Sequence, residues 1–200
     1  MKKRSACMTA DEFASRFSLY PSKQLEPDYS GFFKPNAKSK EAAVLVPIVV
    51  REDGLKLLFT KRASHLRHHA GQISFPGGRR DDSDSDLIET ALRESEEEIS
   101  LARVSVTPLG WLPSLHTISN YTVFPLVGLI KEIGPVSPNP DEVAEIFEAP
   151  LTHFLNRHGH TTAKPKRGKL TQTIHFMPYQ DKLIWGATAA ILDKLAAHFE

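Results

Sequence analysis

The chain has 200 residues, 40% of them apolar, which is enough for one domain with its own core and needs no disulfide or metal staple. Lys and Arg (25) balance Asp and Glu (24), so charge gives no case for nucleic acid or a membrane surface as partner. The single cysteine, Cys7, excludes an internal disulfide framework. The basic start Met1-Lys2-Lys3-Arg4 has no apolar segment after it. The longest apolar run, Ala42 to Val50, contains Pro47 and is far short of the ~20 residues a membrane helix requires. The expectation is a soluble, cytoplasmic protein with no membrane span.

Residues Thr9 to Phe17 predict a short amphipathic helix, with Asp11 and Glu12 in its first turn. Pro21 to Lys40 reads as a connecting arm, which places the domain boundaries at 1–40 for helix and arm and 41–200 for the main domain. Ala42–Val50, the turn residues Arg51-Glu52-Asp53-Gly54 and Leu55–Thr60 predict a β-hairpin. A short strand at Ile73–Phe75 then meets a Pro76-Gly77-Gly78 turn. A helix is expected from Asp86 to Ser100, its apolar face carried by Leu87, Ile88, Ala91, Leu92 and Ile99. Strands follow at Val104–Trp111, Tyr121–Ile130 and around Val143–Phe147, then a short helix at Pro150–Asn156 and a polar loop at Arg157–Lys169. Leu170–Met177 and Lys182–Ile184 predict two more strands, and a last helix runs from Trp185-Gly186 to His198. Strands interleaved with a few helices argue for a layered α/β fold.

The chemistry concentrates in Arg93-Glu94-Ser95-Glu96-Glu97-Glu98. On a helix, Glu94, Glu97 and Glu98 share one face, where their repulsion costs roughly 0.2–0.5 kcal/mol per pair. A hard divalent cation would offset it, because Mg²⁺ takes oxygen ligands and leaves room for water and phosphate. Glu94 and Glu98, one turn apart, are the first-choice ligands, with Glu97 as the third. Arg93 lies four residues from both Glu89 and Glu97 and can orient the cluster through either. A box glutamate, or Asp141, Glu142 or Glu145 from a later loop, would act as base.

Gly78, a spacer and Arg93-Glu94-x-x-Glu97-Glu98 resemble the Nudix box. Upstream, Leu57-Leu58-Phe59-Thr60-x-Arg62-Ala63, Leu66-Arg67-x-His69-x-Gly71-Gln72 and Phe75-Pro76-Gly77-Gly78 are similar to the signature of the coenzyme A pyrophosphatase branch of the Nudix hydrolases. The two motifs cover about a quarter of the chain. The resemblance implies a Nudix-type α/β/α sandwich with a mixed central sheet. It also implies Mg²⁺- or Mn²⁺-dependent hydrolysis of the pyrophosphate in CoA or acyl-CoA. The family rivals are a Nudix enzyme for NADH, a nucleotide sugar or a damaged nucleoside triphosphate, and a non-catalytic nucleotide-binding domain.

Under this resemblance Glu97, Glu94, Glu98 and Arg93 are catalytic, and Arg62, Arg67, His69, Gln72, Gly77 and Gly78 line the substrate site. Arg62 and Arg67 suit phosphate or adenine-nucleotide recognition, with a structural role for Arg67 as the alternative. The chain departs from the box in three places. Fourteen residues separate Gly78 from Arg93, one more than usual, which leaves Asp84 and Asp86 both open as the spacer acid. Ser95 replaces an apolar residue, and Ser100 stands where glycine normally relieves a left-handed helix end. His65, His68 and His69 lack partners at transition-metal spacing. The run Lys164–Lys169 reads as an exposed hairpin or loop.

Overall fold

The hairpin around Arg51–Gly54 organises the sheet in the computed structural model, which describes residues 8–19, 39–117, 119–167, 170–171 and 173–200. Strand β1 (Lys40–Arg51) turns into β2 (Gly54–Arg62), pairing Ile48 with Leu57 and Arg51 with Gly54. The short strands β3 (Ile73–Ser74) and β4 (Gly77–Arg79) follow, then helix α2 (Leu87–Ile99), β5 (Thr107–Trp111), β6 (Leu115–His116), β7 (Tyr121–Ile130) and β8 (Val143–Pro150). Helix α3 (Leu151–Leu155) leads to β9 (Thr161–Ala163), β10 (Lys166–Arg167), β11 (Leu170–Thr171), β12 (Ile174–Tyr179), β13 (Lys182–Trp185) and α4 (Ala187–His198). Helix α1 (Ala10–Leu19) precedes them all, with Thr9 Oγ1 accepting the Glu12 N–H at its start.

Among the described residues the main sheet has the spatial order β3-β2-β1-β7-β5, with β4 on β1, β6 on β7 and β8 on β2. The long β1–β7 pair is parallel, from Lys40↔Tyr121 to Val49↔Ile130, and the others are antiparallel, so the sheet is mixed. Alternation along β1 divides the core. Val46 and Ile48 face α1, α3 and α4, where they meet Phe13, Phe154, Leu192 and Leu195. Ala43, Leu45 and Val49 face α2 and meet Ala91 and Ile99. Helices on both faces of a mixed sheet make the expected α/β/α sandwich. The rings of Phe13 and Phe17 lie in the same core as β1, so α1 packs on the domain that follows it. Residues 20–38 of the connecting arm, and Cys7, lie outside the described residues. No described helix is long and apolar enough to cross a membrane.

Three local expectations change. The Pro76-Gly77-Gly78 turn is not a turn: Gly77–Arg79 is strand β4, registered Val44↔Gly77 and Ala42↔Arg79. It lies that close because a Cβ on Gly77 would strike the Ala43 carbonyl and Val44 Cα, and its φ of +150° suits glycine. The strand expected from Val104 begins only at Thr107, after a 3₁₀ turn at Arg103–Ser105. Arg103 folds back onto Glu89 and Glu96 of α2, leaving Val104 97% exposed. The polar loop 157–169 contains β9, whose pairing with β12 is long-range and leaves no apolar pattern in Thr161-Thr162-Ala163.

Candidate active site

Helix α2 is closed at both ends. Asp86 Oδ1 accepts the Glu89 N–H at 2.8 Å, an N-cap worth about 1 kcal/mol. At the other end Ser100 adopts the left-handed conformation (φ +57°) that glycine normally takes. Its N–H donates to the Glu96 carbonyl at 2.9 Å and the Leu101 N–H to that of Ser95 at 3.4 Å, so the glycine-type cap forms without glycine. Ser95, at the family's apolar position, is buried and gives its hydroxyl to the Ala91 carbonyl.

The spacer acid is Asp84. Its buried carboxylate takes Arg93 Nε at 2.8 Å and Nη2 at 3.1 Å, the Thr90 hydroxyl at 2.8 Å and the Asp81 N–H at 2.9 Å. The guanidinium holds that carboxyl well below the usual range. Asp86 is committed to capping. The same Arg93 reaches Glu94 at 3.0 Å, Glu97 at 2.9 Å and the Arg79 carbonyl at 3.3 Å. Of its two anticipated partners Glu97 is the one used, since Glu89 pairs with Arg103.

Glu94 and Glu98 point inward over β4. Glu98 is 3% exposed, accepts the Gly77 N–H and faces Arg62 Nη1 at 3.8 Å. Burial, with the charges of Glu142 and Glu94 adding to it, pushes its carboxyl up to about 8 against the pull of Arg62. Burial also raises Glu94, opposed by Arg93. A Cβ on Gly78 would collide with the Glu94 carboxylate, so the glycine makes the room that Glu94 occupies. Glu97 differs from expectation. Its side chain is 57% exposed and turned to Arg93, and its charge acts on Glu94. Among the described residues no three carboxylate, imidazole or thiolate side chains converge on one point. The charge that reaches both Glu94 and Glu98 is that of Glu142, while Glu145 is paired with Lys182 at 2.8 Å. Buried carboxylates with incomplete compensation, and hard oxygen donors without a thiolate, fit Mg²⁺ or Mn²⁺.

Two loops frame this face. In the first, the Arg62 N–H bonds the Gln72 carbonyl and the Gly71 N–H that of Arg62, closing residues 62–72 into a compact loop. His69, at φ +58°, holds the Gln72 side-chain oxygen with Nδ1 at 2.8 Å. His65 Nε2 meets the Asp141 carbonyl at 3.0 Å, which links this loop to residues 137–143. Arg67 is exposed and makes no ion pair among the described residues.

The second loop carries Asp141 and Glu142, two of the candidate bases, but its docking on the end of α2 was not legible in advance. The Ser137 and Asn139 N–H groups donate to the Ile99 and Glu98 carbonyls, supplying partners that the end of α2 lacks. The Ala63 N–H takes the Glu142 carbonyl, tying the loops together beside Glu98. The available signal was Ser137-Pro138-Asn139-Pro140, stiff turn chemistry directly before Asp141 and Glu142.

The NUDIX domain family matches residues 40–173. A Yersinia enterocolitica protein named "Uncharacterized Nudix hydrolase NudL" is 43% identical over 188 residues, covering 94% of this chain and 92% of its own. One of the same name from Pectobacterium atrosepticum is 40% identical over 186 residues, covering 93% and 92%. The fold is also similar to the NUDIX domain of Shewanella oneidensis NrtR, solved in complex with ADP ribose, at a TM-score of 0.52 and 15% identity over 96% of this chain and 100% of that one. Nudix hydrolases generally work with divalent metal ions, which agrees with the donor set around Glu94 and Glu98. By sequence, by fold and by the acidic helix over a glycine strand, the chain belongs to the Nudix hydrolases.

Proposed function

We propose that this hydrolase cleaves the pyrophosphate bond of coenzyme A or an acyl-CoA, giving 3′,5′-ADP and 4′-phosphopantetheine or its acyl form, with Mg²⁺ or Mn²⁺. The observation that supports it is the meeting of the upstream motif with the box. Arg62 reaches Glu98, Gly77 donates to Glu98, and Gly78 leaves space for Glu94, so the CoA-type signature builds the wall opposite the acids.

In this reading Glu94 and Glu98 would hold the cation, with Glu97, now paired with Arg93, as the third ligand. When bound, the cation neutralises phosphoryl charge and makes a water acidic enough to react near neutral pH. Glu142, whose charge acts on both Glu94 and Glu98, is the candidate we favour to take the proton of the attacking water. Arg93, locked on Asp84, fixes the direction of the Glu94 carboxylate. Arg62, Arg67, His69 and Gln72 receive the substrate phosphates and nucleotide. The substrate is a small molecule and the enzyme is cytoplasmic, without nucleic acid or membrane partners.

The test is chromatographic product analysis after incubating the protein with CoA and Mg²⁺ or Mn²⁺, with ADP-ribose, NADH and 8-oxo-dGTP in parallel. Metal-dependent release of 3′,5′-ADP, fastest from CoA, is the expected result. Faster turnover of ADP-ribose, the ligand of the Shewanella domain, would refute the CoA reading and keep the metal chemistry.

A further inference from the structure

Among the described residues four large apolar side chains are exposed, Leu19, Val104, Leu183 and Trp185, and the last two share one face of β13, Leu183 50% and Trp185 41% exposed. Across the hairpin their partners are Pro178 and Phe176 of β12, so the four side chains form one contiguous apolar face. We propose that this face receives the acyl chain of a thioester substrate, so that an acyl-CoA binds in preference to free CoA. The inference rests on the CoA reading above and chooses between its two substrates.

Placement favours this occupant. Met177 and Ile184 turn from β12 and β13 into the core that α1, α3 and α4 share with the main sheet, so Phe176, Pro178, Leu183 and Trp185 turn away from it. On β3, Ile73 enters the same core and Ser74 turns away, onto the Thr60 hydroxyl at 3.0 Å. Thr60 alternates with Leu58 and Arg62 on β2, which face α2 and Glu98. The apolar face and the acidic face therefore lie on one side of a common core. Strand β13 lies beside β3, and the Thr188 hydroxyl, three residues past Trp185, donates to the Ile73 carbonyl at 3.0 Å. Ile73 directly follows Gln72, so the far end of the 62–72 loop abuts the apolar strand.

Reach agrees with placement. Gly77, whose N–H Glu98 accepts, stands four residues beyond Ile73, an extended span of about 14 Å. The pantetheine arm, two amides and a pantoyl unit between phosphate and sulfur, has an extended reach of roughly four residues as well. With the diphosphate at Glu94 and Glu98, the sulfur arrives at β3 and the group it carries meets β13. The face there offers aliphatic and aromatic carbon with no charged member, and Ile174 extends it along β12. Free CoA brings only a thiol to this surface, whereas an acyl chain removes its methylenes from water on it.

The experiment titrates the full-length protein with octanoyl-CoA and with CoA by calorimetry in EDTA, without the metal that turnover requires. Both titrations are repeated with the double variant Leu183→Ser, Trp185→Ser and with Leu183→Ser alone. Both side chains are exposed, and circular dichroism checks the fold of each variant. The parent should bind octanoyl-CoA roughly tenfold more tightly than CoA, as a few methylenes leaving water allow. The double variant should bind the two alike, the single variant should lose part of the preference, and the affinity for CoA should not move. Equal affinities in the parent, or a preference the double variant keeps, would overturn the assignment. A parent that is dimeric by light scattering, with a monomeric double variant of unchanged preference, would give the face to a second copy of the chain instead. Release of 3′,5′-ADP with Mg²⁺ present is followed separately. An octanoyl preference with neither ligand cleaved sinks the reaction and keeps the face, whereas cleavage with equal affinities does the reverse.

Discussion

Glu98→Gln separates what the site costs the fold from what it gives the chemistry. Glu98 is 3% exposed and its carboxyl is raised from 4.5 to about 8, mainly by burial. The folded state therefore keeps a proton that the unfolded chain releases. Stability is fully present below pH 4.5 and is lost as pH rises towards 8. Each pKa unit is about 1.4 kcal/mol, so the ~2.5 units between the ordinary value and pH 7 amount to about 3 kcal/mol, and the half unit at pH 5 to under about 1 kcal/mol. Glutamine keeps an acceptor for the Gly77 N–H and carries no charge to bury. In EDTA at pH 7 the variant should melt roughly 5–10 °C above the parent, with the gain shrinking at pH 5. Added Mn²⁺ should stabilise the parent and not the variant, whose hydrolysis should be lost. Calorimetric melts at pH 5, 7 and 8 measure all of this. A gain that is absent at pH 8, or as large at pH 5 as at pH 8, would refute the argument from burial.

Asp84→Asn should destabilise the protein by about 1–3 kcal/mol in urea titrations, the lower end reflecting water around its loop, and should lower kcat by freeing Arg93. Because the parent's Asp84 carboxyl is held below its ordinary 3.8, the stability gap should narrow as pH falls beneath that value. Gly78→Ala puts a methyl group where the Glu94 carboxylate lies, so hydrolysis should fall by about 10² while the melting temperature moves little. An active Gly78→Ala enzyme would show that Glu94 works from another position. Ser100→Gly removes a side chain from a left-handed helix cap and should add about 0.5–1 kcal/mol to the stability read from the same titrations.

The parts of this molecule set by short-range pattern could be read ahead of the structure. The hairpin at Arg51–Gly54, the acidic helix and the strand Tyr121–Ile130 all carry their own periodicity or turn residues. What escaped was set by distant partners. Gly77 and Gly78 look like a turn in isolation and become a strand because β1 takes their backbone. Asp84 and Asp86 are equivalent on spacing, and only burial beside Thr90 and Arg93 separates them. Glu142 could be named among the candidate bases, but it stands far along the chain from the box and nothing local says that its loop docks on the end of α2. Helical spacing placed Glu97 with Glu94 and Glu98, but Arg93, one turn earlier, draws it outward.

The bonds from Ser137 and Asn139 to the end of α2 make chain length before them less critical than chain length after them. Before the anchor, Ile133 and Val136 pack on the core beneath α2, and a length change there would be absorbed ahead of Ser137, where the register is reset. From Ser137 to Val143, a single insertion would slide Glu142 away from Glu98 or strip the helix of its partners. Related chains should therefore vary in length before this anchor and keep a fixed count after it. The anchor also gives the site a silent reporter: slow hydrogen exchange at the Asn139 amide would mark an assembled acidic face with no substrate present.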